Sequence, residues 1–128
     1  MLKAKKLAAI GSVLLLVMTT GCSSLNPARK ESKLALAKHL KEQNAKMYGT
    51  YWCVTCEGQK RWFGKEAFSQ LTYIECDPAG EKQQANLCRQ LNITRFPTWE
   101  IGGKLYCQGG CSLGELADVS GYKGPREF

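Results

Sequence analysis

Histidine is almost absent from this 128-residue sequence, which has one, His39. It lies in a segment of amphipathic helical spacing with no ligand spacing to any cysteine, so the usual cysteine and histidine zinc sites are not expected. Long apolar runs are missing too. The longest, Leu7 to Met18, falls short of the roughly 20 residues a permanent membrane-spanning helix needs. No cluster of Lys and Arg interleaved with aromatics occurs, which argues against nucleic acid as a partner. There is no internal repeat and no low-complexity tract, so one small domain is the simplest reading of the chain.

What is present begins with a leader. Lys3, Lys5 and Lys6 precede the apolar run, and Thr19-Thr20-Gly21 stands directly before Cys22. This is the pattern of a secretory signal over residues 1–21. A small residue followed by cysteine resembles the lipobox of bacterial lipoproteins, which implies cleavage after Gly21 and lipidation of Cys22. Thr19 departs from that pattern, which prefers Leu there; the alternative is an ordinary signal peptide followed by a free or paired Cys22. Under the lipoprotein reading Ser23 is not the Asp that retains lipoproteins at the inner membrane, which leans toward the outer membrane. Either way the domain is expected on the periplasmic, extracytoplasmic side, where disulfides persist. Of 18 basic residues three leave with the leader, so 15 remain against 11 acidic ones, a mild +4.

Residues 22–30 are polar and broken by Pro27, and read as a tether; residues 31–128 read as the folded domain. Leu34, Leu36, Ala37 and Leu40 predict an amphipathic helix over 31–45. Met47 to Trp52 predicts a strand and Cys53 to Ser69 a helix, weakened at Gly64, with Trp62, Phe63 and Phe68 turned inward. Leu71 to Cys76 predicts a strand, Asp77-Pro78-Ala79-Gly80 a turn, and Glu81 to Leu91 a helix. Gly102-Gly103 between Thr98–Ile101 and Lys104–Cys107 is a two-residue hairpin signal. Ser112 to Glu115 matches a capping box that opens a last helix to Ser120.

The sequence has seven cysteines. With Cys22 set aside for lipid, the other six allow 15 pairings, of which local spacing favours Cys53 with Cys56, Cys76 with Cys88, and Cys107 with Cys111. Cys53 and Cys56 stand where a strand gives way to a helix. At a helix N-terminus, unpaired backbone N–H groups and the macrodipole stabilise a thiolate. Cys53 is therefore the expected nucleophile. Cys56, one turn on, is the expected resolving thiol. A static disulfide or zinc half-site is the plainer alternative for the pair. Cys76 and Cys88 are read as a structural clip of helix to sheet. Cys107 and Cys111 are read as a disulfide that rigidifies a glycine-rich loop, or else as a second redox pair.

Trp52-Cys53-Val54-Thr55-Cys56 after a strand, with Arg95-Phe96-Pro97-Thr98 before a hairpin, resembles a thioredoxin-family active site and its cis-proline loop. The implied fold is α/β and thioredoxin-like: an N-terminal helix, then β-α-β-α-β-β-α around a four-stranded mixed sheet. The implied substrate groove comprises Trp52, Val54, Thr55, Phe96, Pro97 and Thr98, with Trp99 in the core. Met47 to Cys53, Glu75-Cys76-Asp77-Pro78, Phe96 to Trp99 and Ser112 to Tyr122 further resemble the thioredoxin-like domain fused to vitamin K epoxide reductase homologues of photosynthetic bacteria and plants. That resemblance implies a thiol-disulfide oxidoreductase acting on cysteine-containing extracytoplasmic proteins and coupled to a separate quinone-linked membrane oxidase. It implies no cofactor, and a monomer is expected. A disulfide reductase or isomerase remains the alternative direction. A non-catalytic module binding a metal or a partner is the alternative class. In many thioredoxins a buried carboxylate precedes the first cysteine by six residues. Here that position is Met47, and Glu57 is the nearest substitute, read as an exposed helix residue.

Overall fold

The computed structural model describes residues 26–128. The leader 1–21, Cys22 and Ser23 lie outside the described residues. The first helix, α1, spans Pro27–Glu42. It starts four residues earlier than the sequence pattern predicts. The Asn26 side chain accepts a hydrogen bond from the Ala28 N–H at 3.1 Å, and Pro27 occupies the first helical turn, where its missing N–H costs nothing. The tether expected over 22–30 is thus helical from Pro27 onward. At the other end Asn44 turns the chain with φ 53°, and the helix stops before residue 45.

Strand β1 (Lys46–Gly49) is shorter than expected, because Thr50 to Trp52 turn back and the Cys53 N–H donates to the Thr50 carbonyl at 3.1 Å. The single helix expected from Cys53 to Ser69 is two, α2 (Val54–Phe63) and α3 (Lys65–Phe68). Gly64 divides them with φ 83° and ψ 156°, a conformation no helix contains. The α2 face that packs inward carries Cys56, Gln59 and Phe63 at helical spacing. Trp62 falls off that stripe and is half exposed, contrary to the inward position read from sequence. Strand β2 (Thr72–Glu75) follows, then a short α4 (Ala85–Gln90), strands β3 (Thr98–Ile101) and β4 (Lys104–Tyr106), and α5 (Leu113–Val119). The segment 81–84 expected to begin α4 is instead irregular: Lys82 has φ 51°, and the Gln84 N–H donates to the Glu75 carbonyl at 2.7 Å.

The sheet order is β2-β1-β3-β4, with β1 and β2 parallel and the other neighbours antiparallel. Parallel neighbours need a crossover, which α2 and α3 supply. Gly102 and Gly103, at φ 56° and 78°, close the β3–β4 hairpin with Ile101 opposite Lys104. Ser112 and Glu115 form both bonds of the capping box. The architecture is thioredoxin-like.

Alternation along the strands divides the apolar residues between two faces. Met47, Trp99 and Ile101 join Leu36, Leu40, Phe63, Leu113 and Leu116 in the main core. Tyr48 and Ile74 face the other way, into a smaller cluster with Cys76, Cys88 and Ile93 under α4. Among the described residues no helix is long and apolar enough to cross a membrane.

Candidate functional site: the disulfide at the α2 N-terminus

Cys53 is the N-cap of α2, with extended backbone (φ −76°, ψ 109°), and its sulfur accepts a hydrogen bond from the Cys56 N–H at 3.1 Å. A helix N-terminus leaves its first N–H groups unpaired, and here one is aimed at the sulfur that would carry charge when the bond opens. Cys53 and Cys56 are joined as a disulfide with Cα atoms 5.2 Å apart. Cys53 keeps 7% of its surface exposed, while Cys56 has none. An incoming sulfur therefore reaches Cys53 alone. Cys56 can act only from inside, on Cys53.

The surface around Cys53 is apolar and open. Tyr51, Trp52 and Val54 are strongly exposed, Thr55 is exposed, and Phe96 is half-buried. Trp52 is held by its indole N–H, which donates to Asp77 Oδ2 at 2.6 Å. That bond, with another from the Ala79 N–H, holds the Asp77 carboxyl below the ordinary carboxylate range. The Phe96–Pro97 peptide is cis. Pro97 and Thr98 are buried, and the Thr98 hydroxyl donates to the Arg95 carbonyl at 2.6 Å. Of the groove residues read from sequence, Trp52, Val54, Thr55 and Phe96 thus offer side-chain surface. Pro97 and Thr98 do not.

The loop closed by the Cys107–Cys111 disulfide packs onto this site. The Gly109 N–H donates to the Pro97 carbonyl at 2.9 Å, and a Cβ on Gly110 would lie 3.0 Å from Thr55 Cγ2 and 3.5 Å from Pro97 Cδ. Gly110 has φ 102°, so both its backbone and its lack of a side chain are needed for that approach. From beneath, fully buried Gln59 on α2 donates through Nε2 to the Cys111 carbonyl at 2.6 Å. Cys76 and Cys88 form the third disulfide, in the smaller core on the opposite side of the sheet.

Sequence reasoning missed Tyr73, Glu75 and Gly49. The β1–β2 register sets Met47 beside Tyr73 and Gly49 beside Glu75, which puts Tyr73 and Glu75 on the face where Cys56 lies. Glu75 is 7% exposed, accepts from the Tyr73 hydroxyl at 3.1 Å and accepts from the Asp77 N–H at 2.8 Å. Their spacing of two residues within a strand is the signal the sequence offers. Met47, at the position that holds a carboxylate in many thioredoxins, is buried and apolar. Glu57, the substitute, pairs with Lys60 at 2.7 Å and is 45% exposed. His39 lies away from all of this, its Nε2 within 2.8 Å of the Ser120 carbonyl. Among the described residues no group of three or more His, Cys, Asp or Glu is placed to hold a metal ion.

A reachable sulfur at a helix cap, backed by a sealed one, is an arrangement suited to thiol-disulfide exchange. The chain is similar to a thiol-disulfide oxidoreductase. Over 92 residues it is 45% identical to the thiol-disulfide oxidoreductase LTO1 of Arabidopsis thaliana, a match covering 70% of this chain and 24% of that protein. The chain thus spans about a quarter of the length of this curated relative. No protein-family model matches it.

Proposed function

We propose that the chain is a thiol-disulfide oxidoreductase that exchanges disulfides with cysteine-containing proteins through Cys53 and Cys56. One observation carries the reading: a disulfide at the N-cap of α2 whose first sulfur is reachable and receives a helix N–H, while the second is sealed behind it. The activity named for the Arabidopsis relative is of the same class. In the oxidising direction a substrate thiolate attacks Cys53, the Cys53–Cys56 bond breaks, and Cys56 leaves as a thiolate. A second substrate thiol then displaces Cys53, and the chain is left as a dithiol with the substrate oxidised by two electrons. The reducing direction is the reverse. The exposed Tyr51, Trp52 and Val54 give an extended substrate an apolar surface beside the reactive sulfur.

The finer reading is an extracytoplasmic protein held to a membrane through lipidated Cys22. It works as an oxidase whose dithiol is re-oxidised by a separate quinone-linked membrane protein. It is supported by the leader and Cys22 in the sequence, and by the resemblance to domains fused to vitamin K epoxide reductase homologues.

Replacing Cys53 with Ser is expected to abolish exchange with a model protein, and Cys56→Ser to accumulate mixed disulfides trapped on Cys53. Full activity of the Cys53 variant overturns the assignment. The reduction potential decides direction: a value near that of the strong oxidant DsbA supports the oxidase, and one near thioredoxin supports the reductase.

A further inference from the structure

Cys56 has no exposed surface, yet each exchange cycle must take a proton from its thiol or return one to it. The group that does this has to be internal. A Cβ on Gly49 would meet Cys56 Sγ at 2.9 Å, Tyr73 Cε2 at 3.0 Å and the Tyr73 hydroxyl at 3.2 Å. With no side chain there, the sulfur and the hydroxyl flank one small gap in the sheet face. Behind the hydroxyl lies Glu75, which accepts its hydrogen bond at 3.1 Å and is itself fixed by the Asp77 N–H. Gly80 makes room for that carboxylate: a Cβ there would run into the Glu75 side chain, 2.7 Å from its Cδ. The absent side chain of Gly49 thus leaves the sulfur and the hydroxyl on either side of one gap, and that of Gly80 leaves room for the carboxylate bonded to the hydroxyl.

We infer that Tyr73 relays the Cys56 proton to and from Glu75 during thiol-disulfide exchange, a role that rests on the exchange reading above. In the resolving step the Cys56 thiol gives its proton to the Tyr73 oxygen as the Tyr73 proton passes to Glu75. The thiolate electron pair forms the Cys56–Cys53 bond, the bond from Cys53 to the partner sulfur breaks, and the partner leaves as a thiolate that is protonated by solvent. When Cys56 is the leaving group the same path runs backward and returns its proton. Tyr73 is suited to relaying rather than holding charge. Burial, and then the hydrogen bond and negative charge of Glu75 with a smaller push from Glu57, drive its ionisation well above the ordinary tyrosine range.

The remaining titratable groups at this cleft do not compete for the role. Lys60 on α2 pairs with Glu57 and stands 4.0 Å over the Tyr73 ring, while Tyr51, Glu81 and Lys82 line the outer wall. Asp77 is engaged by Trp52. On the same face β1 presents only Met47 and Gly49.

The test is stopped-flow reaction of the reduced full chain with a dithiobis-nitrobenzoate reagent. Attack by Cys53 releases the first chromophore, and resolution by Cys56 releases the second. Tyr73→Phe keeps the ring and the neighbouring charge but cuts the relay. Its second phase should slow roughly tenfold or more relative to its first at neutral pH, and rise about tenfold per pH unit as it comes to follow the Cys56 thiolate fraction alone. Glu75→Gln gives an opposing sign. As a mere negative neighbour Glu75 would disfavour the thiolate, so its neutralisation would speed the second phase; the relay requires slowing. An unmoved second phase in both variants, or acceleration in Glu75→Gln, overturns the relay while leaving the exchange reading intact. Absence of a first phase in the unaltered protein overturns both.

Discussion

Removing the Cys76–Cys88 disulfide should lower the stability of the oxidised domain by about 3 kcal/mol. The bond closes a loop with a sequence separation of 12, for which the chain-entropy estimate is about 3 kcal/mol. Its surroundings give little to compensate. Helix α4 has six residues, too few to persist alone, and it rests on the smaller cluster of Tyr48, Ile74 and Ile93. Both cysteines are buried, at 8% and 3% exposure, so alanine replaces sulfur in an apolar setting and adds no unpaired polar group. The assay is urea unfolding of the oxidised Cys76→Ala/Cys88→Ala protein by tryptophan fluorescence, with a thermal scan in which the midpoint should fall by on the order of 15 °C. The single Cys76→Ala variant loses the same cross-link and should agree with the double variant to within roughly 1 kcal/mol. A loss below about 1 kcal/mol would show that the tie between helix and sheet is not what holds α4, and the partition of the three disulfides would need to be redrawn.

Replacing Cys107 and Cys111 together with Ser should loosen the loop that holds the Pro97 carbonyl and borders Thr55, so exchange with a protein substrate should slow several-fold more than exchange with a small disulfide. Equal rates for both substrates before and after would remove this loop from the groove. Tyr48→Phe removes the 2.6 Å hydrogen bond to Glu100 and should cost about 1–2 kcal/mol at neutral pH. The Tyr48 bond, aided by Lys46 and opposed by burial, holds the Glu100 carboxyl below its ordinary value of 4.5. That contribution is therefore present above pH 4.5 and is lost as pH falls through the lower folded value, so the variant should show a shallower acid limb in stability measured against pH. An unchanged acid limb would exclude the pair as its source.

Local chemistry makes much of the fold legible in the sequence. Gly102-Gly103 needs left-handed backbone, Ser112 and Glu115 satisfy one another's helix-end donors, and strand alternation separates Met47 from Tyr48; each acts within a few residues. Boundaries are less legible where one residue serves two readings. Pro27 breaks a helix from within and begins one from its first turn, and only the Asn26 cap shows which applies. Gly64 reads as a weak point in a helix, whereas its φ of 83° ends one.

The sequence by itself determined the element on which the proposed exchange rests: two cysteines three apart at a strand-to-helix junction, with Cys53 at the cap, because the spacing and the cap are local. It also carried Cys22 and the leader as expectations. Only the tertiary structure decided what stands behind Cys56. The parallel register of β1 and β2 brings Gly49 beside Glu75 from 26 positions away and turns Tyr73 toward the buried sulfur, and no residue near Cys53 in the chain announces either partner. The same is true of Gly110. Its approach to Thr55 and Pro97 depends on three segments meeting, which packing fixes and local pattern does not.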